Sequence, residues 1–243
     1  MINKNNLFYF FLLFNLFFLE EKITFESANP FTFKDIIVSL EDLEVQDVYG
    51  ILKFPVDFNS NYQYPLVIGV AGSLGWHDHN YEYMQMYRDM GIATFELKSF
   101  SSRDVTSTVG SQIEVTMASM ILDAYKALDI LSDNKNINKD NVAITGWSLG
   151  GGVALFSGWN NLIEAISPNN NFAAHLPIYP PCFVKSESMN FTDAPIHILI
   201  GEYDDWTPAL ACEELVDSLK DNKNNINITV YDESHHGFDS DRP

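Results

Sequence analysis

Residues 142–157 read VAITGWSLGGGVALFS and hold, in one run, an apolar strand, a tight turn and the start of a helix. The segment Gly146-Trp147-Ser148-Leu149-Gly150 is a G-x-S-x-G motif between the two elements. Small residues allow a strand to turn sharply into a helix and leave the central serine exposed above the sheet. A bare motif of this kind is common, but this context predicts that Ser148 is a nucleophile.

Outward from this segment, short apolar runs alternate with longer helical patterns, which is typical of βαβ units and a largely parallel sheet. The pattern predicts an α/β architecture with a central sheet of about eight strands and helices on both faces. Two N-terminal strands with interspersed charges are expected to form an antiparallel edge. The predicted strands are 35–40, 47–54, 66–71, 93–97, 142–146, 173–178, 196–201 and 228–231. The predicted helices are 81–90, 111–131, 149–157 and 209–220, with Asn-rich loops at 132–139 and 221–227.

The composition excludes several classes of protein. The chain has 243 residues and a formal net charge of −19, with 46% hydrophobic residues. Such an acidic chain without a Lys/Arg cluster repels phosphate backbones, so a nucleic-acid partner is not expected. Disorder and repeat architectures do not fit either, and one domain accommodates the length.

The N-terminus differs from the rest of the chain. Residues 7–19 read LFYFFLLFNLFFL, which is too short to span a bilayer comfortably but fits the apolar region of a secretory signal. We expect a signal peptide over residues 1–28, a mature domain over residues 29–243 and an exported protein. An uncleaved membrane anchor and a buried N-terminal helix are the alternatives, and no other segment is expected to meet a membrane.

A serine nucleophile needs a histidine base and an orienting carboxylate, which follow it in the order serine, acid, histidine in this architecture. The acid is expected after the strand IHILI, where Asp204 and Asp205 are both available. The base is expected after the last strand, where His235 and His236 are adjacent. Spacing alone leaves both choices open.

The motifs GWSLGG, GEYDDWTP and HHGFD, with PLVIGVAGSLG upstream, resemble the dienelactone hydrolase family of α/β-hydrolases from about residue 65 onward. The resemblance implies Asp204 as the acid and His236 as the base. It also implies hydrolysis of small carboxylic esters or lactones through an acyl-enzyme, without a cofactor or a metal ion. Family members named for dienelactone use a cysteine nucleophile, so Ser148 is similar to the serine-bearing relatives, whose substrates are less defined.

Further site residues follow from the same resemblance. The oxyanion hole is expected from the backbone N–H groups of Leu149 and Ser73, the latter in a loop where Ala71 replaces the usual histidine. Arg103 matches a position that binds a substrate carboxylate, although an ordinary surface arginine is the alternative. Independently of the resemblance, the aromatic side chains of Trp76 and Trp147 are expected to contact substrate, and core packing is the alternative for Trp76.

The resemblance also bears on the cysteines and on the end of the chain. Cys182 and Cys212 are the two cysteines; they match positions that are often bridged in relatives, whereas their number alone leaves two separate thiols equally open. The chain stops at Pro243, where the family's fold normally adds a closing helix. The domain is therefore expected to lack that helix or to cover this edge differently.

Three functions remain in view at this point. An ester or lactone hydrolase is the leading hypothesis, with a small-molecule substrate and an oligomeric state that the sequence leaves open. A catalytically silent binding protein on the same fold is the second. A peptidase or acyltransferase using the same residues is the third.

Overall fold

The central sheet has eight strands in the order β1-β2-β4-β3-β5-β6-β7-β8. This computed structural model describes residues 20–111, 113–166, 170–184, 189–219 and 225–240. The strands are β1 (Glu20–Ala28), β2 (Val45–Lys53), β3 (Tyr64–Val70), β4 (Ala93–Leu97), β5 (Ile137–Trp147), β6 (Ala174–Ile178), β7 (Ile196–Gly201) and β8 (Ile226–Tyr231). β2 pairs antiparallel with β1 and β4, and the remaining neighbours are parallel. The predicted α/β class is confirmed, whereas the antiparallel edge pairs β2 with β1 and not with the strand expected at 35–40.

Six α-helices lie in the described part of the chain. They are α1 (Phe33–Ser39), α2 (Asp78–Asp89), α3 (Met117–Ser132), α4 (Leu149–Phe156), α5 (Asn160–Ile166) and α6 (Ala209–Leu219). The connection from β3 to β4 through α2 moves toward the β1 edge of the sheet. The connections through α3, α4 and α6 move toward the β8 edge. Since crossovers are right-handed, α2 covers one face of the sheet and the others cover the opposite face.

The strand predicted at 35–40 is wrong, because these residues form most of α1. The helix is fixed at its start by a capping box, in which Thr32 Oγ1 accepts the Asp35 N–H and Asp35 Oδ2 accepts the Thr32 N–H. Ile36 is buried while Ile37 and Val38 are exposed, so the β-branched run turns one side chain inward. A helix cap overrides a weak strand preference here.

Residues 20–28, which the expected signal peptide includes, form the edge strand of the sheet. β1 pairs with β2 residue for residue from Glu20↔Lys53 to Ala28↔Val45. A cut after Ala28 would strip the edge strand from the sheet. The apolar run at 7–19 lies outside the described residues.

No helix in the described residues is long and apolar enough to cross a membrane. The buried core extends over both faces of the sheet and includes most of α3 and all of α4. The carboxyl ends of the parallel strands β3, β5, β7 and β8 therefore present their loops at one edge of a well-packed scaffold.

Candidate active site

Ser148 lies in the turn between β5 and α4. Its backbone has φ 55° and ψ −114°, a conformation that costs a non-glycine residue about 1–3 kcal/mol. The neighbouring glycines permit the turn, because a Cβ on Gly150 would collide with the backbone of Val70 and Ala71 in β3 and the loop that follows. The strained turn holds the Ser148 hydroxyl above the carboxyl edge of the sheet.

His236 follows β8 and faces this serine. Its Nε2 lies 3.0 Å from Ser148 Oγ. The imidazole contacts two aromatic rings, with Trp206 stacked at 5.5 Å and Tyr179 tilted at 4.6 Å between ring centroids. These contacts help to hold the ring in the orientation that directs Nε2 toward the hydroxyl.

Asp204 follows β7 and contacts the other nitrogen of the imidazole. His236 Nδ1 lies 2.8 Å from Asp204 Oδ2, and Asp204 Oδ1 accepts the N–H groups of Trp206 and Thr207 at 3.0 and 2.8 Å. Burial raises the pKa of this carboxyl, but the hydrogen bonds from His236 and Thr207 outweigh it and hold the pKa below its usual range. Asp204 is therefore a carboxylate that fixes the imidazole with its proton on Nδ1.

The two adjacent candidates do not reach this site. Asp205 is exposed. His235 is exposed and its Nδ1 lies 3.1 Å from the carbonyl oxygen of Tyr203. The structure thus brings Ser148, His236 and Asp204 together, as the resemblance implied.

Thr207 is a member of the cluster that the sequence reasoning did not single out. Its Oγ1 lies 3.0 Å from Asp204 Oδ2, 3.2 Å from His236 Nδ1 and 3.1 Å from the carbonyl oxygen of Tyr179. A hydroxyl has one proton, so these contacts compete, and the hydroxyl links the acid, the base and the loop after β6. The signal was present in the DDWTP motif, three residues after the acid.

The loop after β3 approaches the nucleophile. A Cβ on Gly72 would lie 3.1 Å from the Trp147 carbonyl oxygen and 3.5 Å from Ser148 Cβ. The turn is closed by a hydrogen bond from Gly75 N to Gly72 O at 3.0 Å, and Ser73 O accepts the Thr108 N–H at 2.8 Å. Ser73 and Ser148 line the same pocket.

Leu149 is the first residue of α4. The N–H of a first helical residue has no acceptor within its own helix. Ser73, Ser148 and Leu149 line one further cleft beside the main pocket. Ser73 and Leu149 thus lie on the same side of Ser148. This agrees with the expectation that their backbone N–H groups form the oxyanion hole.

The main pocket has a volume of about 370 Å³ and is lined by loops after β3, β5, β6, β7 and β8. Trp147 lines it, and its Nε1 donates to Asp239 Oδ2 at 2.9 Å. Tyr179, which sequence reasoning missed, also lines it, and its hydroxyl donates to Asp239 Oδ1 at 2.9 Å. Asp239 thus ties the loop that carries His236 to two walls of the pocket.

Trp76 lies behind this wall. Its Nε1 donates to the carbonyl oxygen of Leu97 at 3.0 Å and its ring stacks on Tyr81. The ring meets Trp147 edge-on with centroids 6.2 Å apart. Trp76 lines a neighbouring cavity rather than the main pocket, so it supports Trp147 instead of facing Ser148.

Arg103, the residue expected to bind a substrate carboxylate, lies in contact with α3 and with the end of β1. Its side chain is 4% exposed and its Nη1 lies 2.8 Å from Asp123 Oδ2 in α3. Nη2 donates to Asp123 Oδ1 and to the carbonyl oxygen of Ala28, and Nε donates to Asn29. The guanidinium joins the end of β1 to α3 and does not line the main pocket.

Cys182 and Cys212 form a disulfide with a Cα–Cα distance of 5.0 Å. The bond links the loop after β6, which carries Tyr179, to α6, which follows the Asp204 loop. The predicted bridge is confirmed. It fixes two of the loops that surround His236.

Among the residues described by the structure, no three His, Cys, Asp or Glu side chains are grouped to hold a metal ion. His77 and His79 line the pocket, and His79 Nε2 lies 2.8 Å from Asn80 Nδ2.

The sheet order and the hydrogen-bonded serine, histidine and aspartate at its carboxyl edge define an α/β-hydrolase. The sequence model of the dienelactone hydrolase family matches residues 85–243. The chain therefore belongs to the dienelactone hydrolase family. No curated protein sequence matches it significantly.

Solved structures share this fold at low identity. A protein assigned as a dienelactone hydrolase from Klebsiella pneumoniae is 19% identical with a TM-score of 0.62, over 90% of this chain and 88% of that one. Esterase 2 of Thermogutta terrifontis with butyrate bound is 14% identical with a TM-score of 0.63, over 79% and 81%. A dienelactone hydrolase-like promiscuous phosphotriesterase from metagenomic libraries is 15% identical with a TM-score of 0.60, over 89% and 84%.

Proposed function

We propose that the protein is a serine hydrolase that cleaves small carboxylic esters or lactones through an acyl-enzyme intermediate. One observation carries the proposal: the hydrogen-bonded path from Ser148 Oγ to His236 Nε2 at 3.0 Å and from His236 Nδ1 to Asp204 Oδ2 at 2.8 Å. Membership of a hydrolase family supports it. The path connects a nucleophile, a base and an orienting carboxylate in the order that acyl transfer requires.

In the first half-reaction, His236 Nε2 removes the hydroxyl proton while Ser148 Oγ attacks the carbonyl carbon of the substrate. Asp204 keeps the other imidazole proton on Nδ1 and stabilises the imidazolium that forms. The N–H groups of Leu149 and Ser73 stabilise the tetrahedral oxyanion. His236 then gives its proton to the leaving alcohol, which leaves the acyl group on Ser148.

In the second half-reaction, water replaces the alcohol. His236 removes a proton from the water as it attacks the acyl carbon, and the proton returns to Ser148 when the acid leaves. A lactone follows the same path, except that its alcohol stays attached to the acyl group. No further group is needed for the balance of either step.

The pocket sets the size of the substrate. Its volume of about 370 Å³ is at the lower end of the roughly 300–1,000 Å³ that small-molecule sites span. Trp147, Tyr179 and Trp206 contribute aromatic rings to its wall. Such a pocket suits a small ester, and butyrate is bound in the Thermogutta esterase.

The test is hydrolysis of a panel of 4-nitrophenyl esters and small lactones by the parent, Ser148→Ala and the matched control Ser218→Ala on α6. We expect kcat/KM for the best ester to fall by roughly 10⁴-fold or more in Ser148→Ala, because loss of the nucleophile leaves only binding and the oxyanion hole. Ser218 is exposed, so its variant should match the parent. A folded parent that hydrolyses nothing would favour a binding protein, and turnover of amides would favour a peptidase.

We also propose that the protein is exported, and the disulfide between Cys182 and Cys212 supports this because such bonds persist in oxidising compartments. Since β1 pairs along its whole length with β2, processing should leave β1 intact. N-terminal sequencing of the mature protein should give a start at or before Glu20. A start at Asn29 would show that the sheet lacks β1.

A further inference from the structure

We propose that the pocket selects uncharged esters and discriminates against esters whose acyl part carries a carboxylate. The proposal rests on the ester hydrolase function above and names the substrate class of the same site. It follows from the hydrogen-bond partners of two charged side chains, Arg103 and Asp239.

The first step concerns Arg103, the cation expected to receive a substrate carboxylate. Both terminal nitrogens contact Asp123, at 2.8 and 3.0 Å. Nη1 also donates to Ser99 O, Nη2 to Ala28 O, and Nε to Asn29 Oδ1. A guanidinium has five N–H donors, and all five are used here, so none remains for a substrate.

The second step concerns the charges at the pocket wall. Among the described lining residues there is no lysine or arginine. An anion lies against this wall, because the Asp239 carboxylate accepts hydrogen bonds from both Trp147 and Tyr179 at 2.9 Å. Burial raises the pKa of Tyr179, and the negative charge of Asp239 raises it further.

The field of Asp239 reaches beyond its two hydrogen-bond partners. Burial raises the pKa of Tyr83, and Asp239 again raises it further. The Tyr83 ring lies 6.0 Å from that of Trp147 between centroids. A substrate carboxylate beside Trp147 would experience the same negative potential, which opposes its binding.

The energetics of burial act in the same direction. A carboxylate that enters this pocket meets no lysine or arginine among the described lining residues, so the loss of its hydration costs more than burying an ester group. The formal net charge of −19 adds repulsion on approach, and salt screens that part of the effect. An uncharged ester meets neither penalty.

The test compares two substrates that differ in one charge, 4-nitrophenyl methyl adipate and 4-nitrophenyl hydrogen adipate, at pH 8 and low salt. We expect kcat/KM to be at least tenfold higher for the methyl ester. The ratio of kcat/KM for the methyl ester to kcat/KM for the acid should fall at least threefold in Asp239→Asn. In this variant the amide can accept the hydrogen bond from Trp147 and donate one to the Tyr179 oxygen. Added salt should narrow the ratio as well.

Equal kcat/KM values, or a preference for the acid, would overturn the proposal and leave the ester hydrolase function standing. A ratio that Asp239→Asn leaves unchanged would also count against the proposed origin of the selectivity. Hydrolysis of neither ester would overturn the ester hydrolase function and the substrate class together.

Discussion

Removal of the Arg103 guanidinium should destabilise the fold rather than alter substrate recognition. In Arg103→Met, Asp123 stays buried with 0% side-chain exposure and keeps the hydrogen bond from Ser27 Oγ at 2.6 Å. The two charge-assisted hydrogen bonds to Asp123 are lost, each contributing about 1.5–3 kcal/mol, together with those to Asn29, Ser99 and Ala28. The two bonds to Asp123 alone account for the roughly 3–5 kcal/mol that breaking a buried ion pair costs.

The assay is urea unfolding of Arg103→Met, Asp123→Leu and the double variant. Each single variant should lose about 3–5 kcal/mol of unfolding free energy, because each leaves one buried charge without its partner. The double variant should lose at least about 2 kcal/mol less than the sum of the singles, because the two residues contact each other directly. The kcat/KM ratio for the two adipate esters, measured well below the midpoint of urea unfolding, should stay at the parental value.

A contrary result would return Arg103 to the active site. That result is an Arg103→Met protein whose unfolding free energy lies within about 1 kcal/mol of the parent and whose activity on the acid ester alone has fallen. The guanidinium would then face substrate in solution, and the ion pair with Asp123 would not govern the fold.

Four further perturbations test the site and its scaffold. Replacing both Cys182 and Cys212 by alanine opens a loop with a sequence separation of 30 and should lower the unfolding free energy by about 3–4 kcal/mol; an unchanged denaturation midpoint would argue against the bridge. Asp204→Asn should lower kcat by about 10⁴-fold. Because the folded pKa of Asp204 is lowered, the contribution of this carboxylate to the free energy of unfolding is present above about pH 4 and disappears below it. Thr207→Val should lower kcat roughly tenfold, because it removes the hydroxyl contacts to Asp204 and His236, and Thr207→Ser should restore kcat. A changed pH–rate profile with an unchanged KM would distinguish this positioning role from a packing defect. Burial lowers the pKa of His175 to about 4, so the protein should lose up to about 3 kcal/mol between pH 6.5 and pH 4, and His175→Gln should flatten that slope in urea titrations at several pH values.

Sequence alone predicts the centre of the molecule well because its signals are local. The apolar strand, the glycine turn and the helix of residues 142–157 are adjacent in the chain, and the structure has β5 and α4 there. Likewise, Asp204 and His236 follow recognisable strands, so their arrival at one edge of the sheet follows from parallel topology. The disulfide between Cys182 and Cys212 came from the family resemblance, not from spacing.

The sequence predicts less well where distant contacts decide. Residues 20–28 follow an apolar run and begin with three exposed charged residues, and they form a strand because β2 pairs with them. Arg103 pairs with Asp123 in α3, and nothing in the local sequence around either residue indicates that they are close in space. Asp239 and Tyr179 meet across 60 residues, and no local pattern indicates that contact.

The central claim is that Ser148 is an activated nucleophile, and labelling by a fluorophosphonate probe tests it most directly. Intact mass and peptide mapping should show one adduct on Ser148 that is absent in Ser148→Ala, strongly reduced in His236→Ala and retained in the control His235→Ala. A folded parent protein that takes no label, or one labelled on a different serine, would contradict the account.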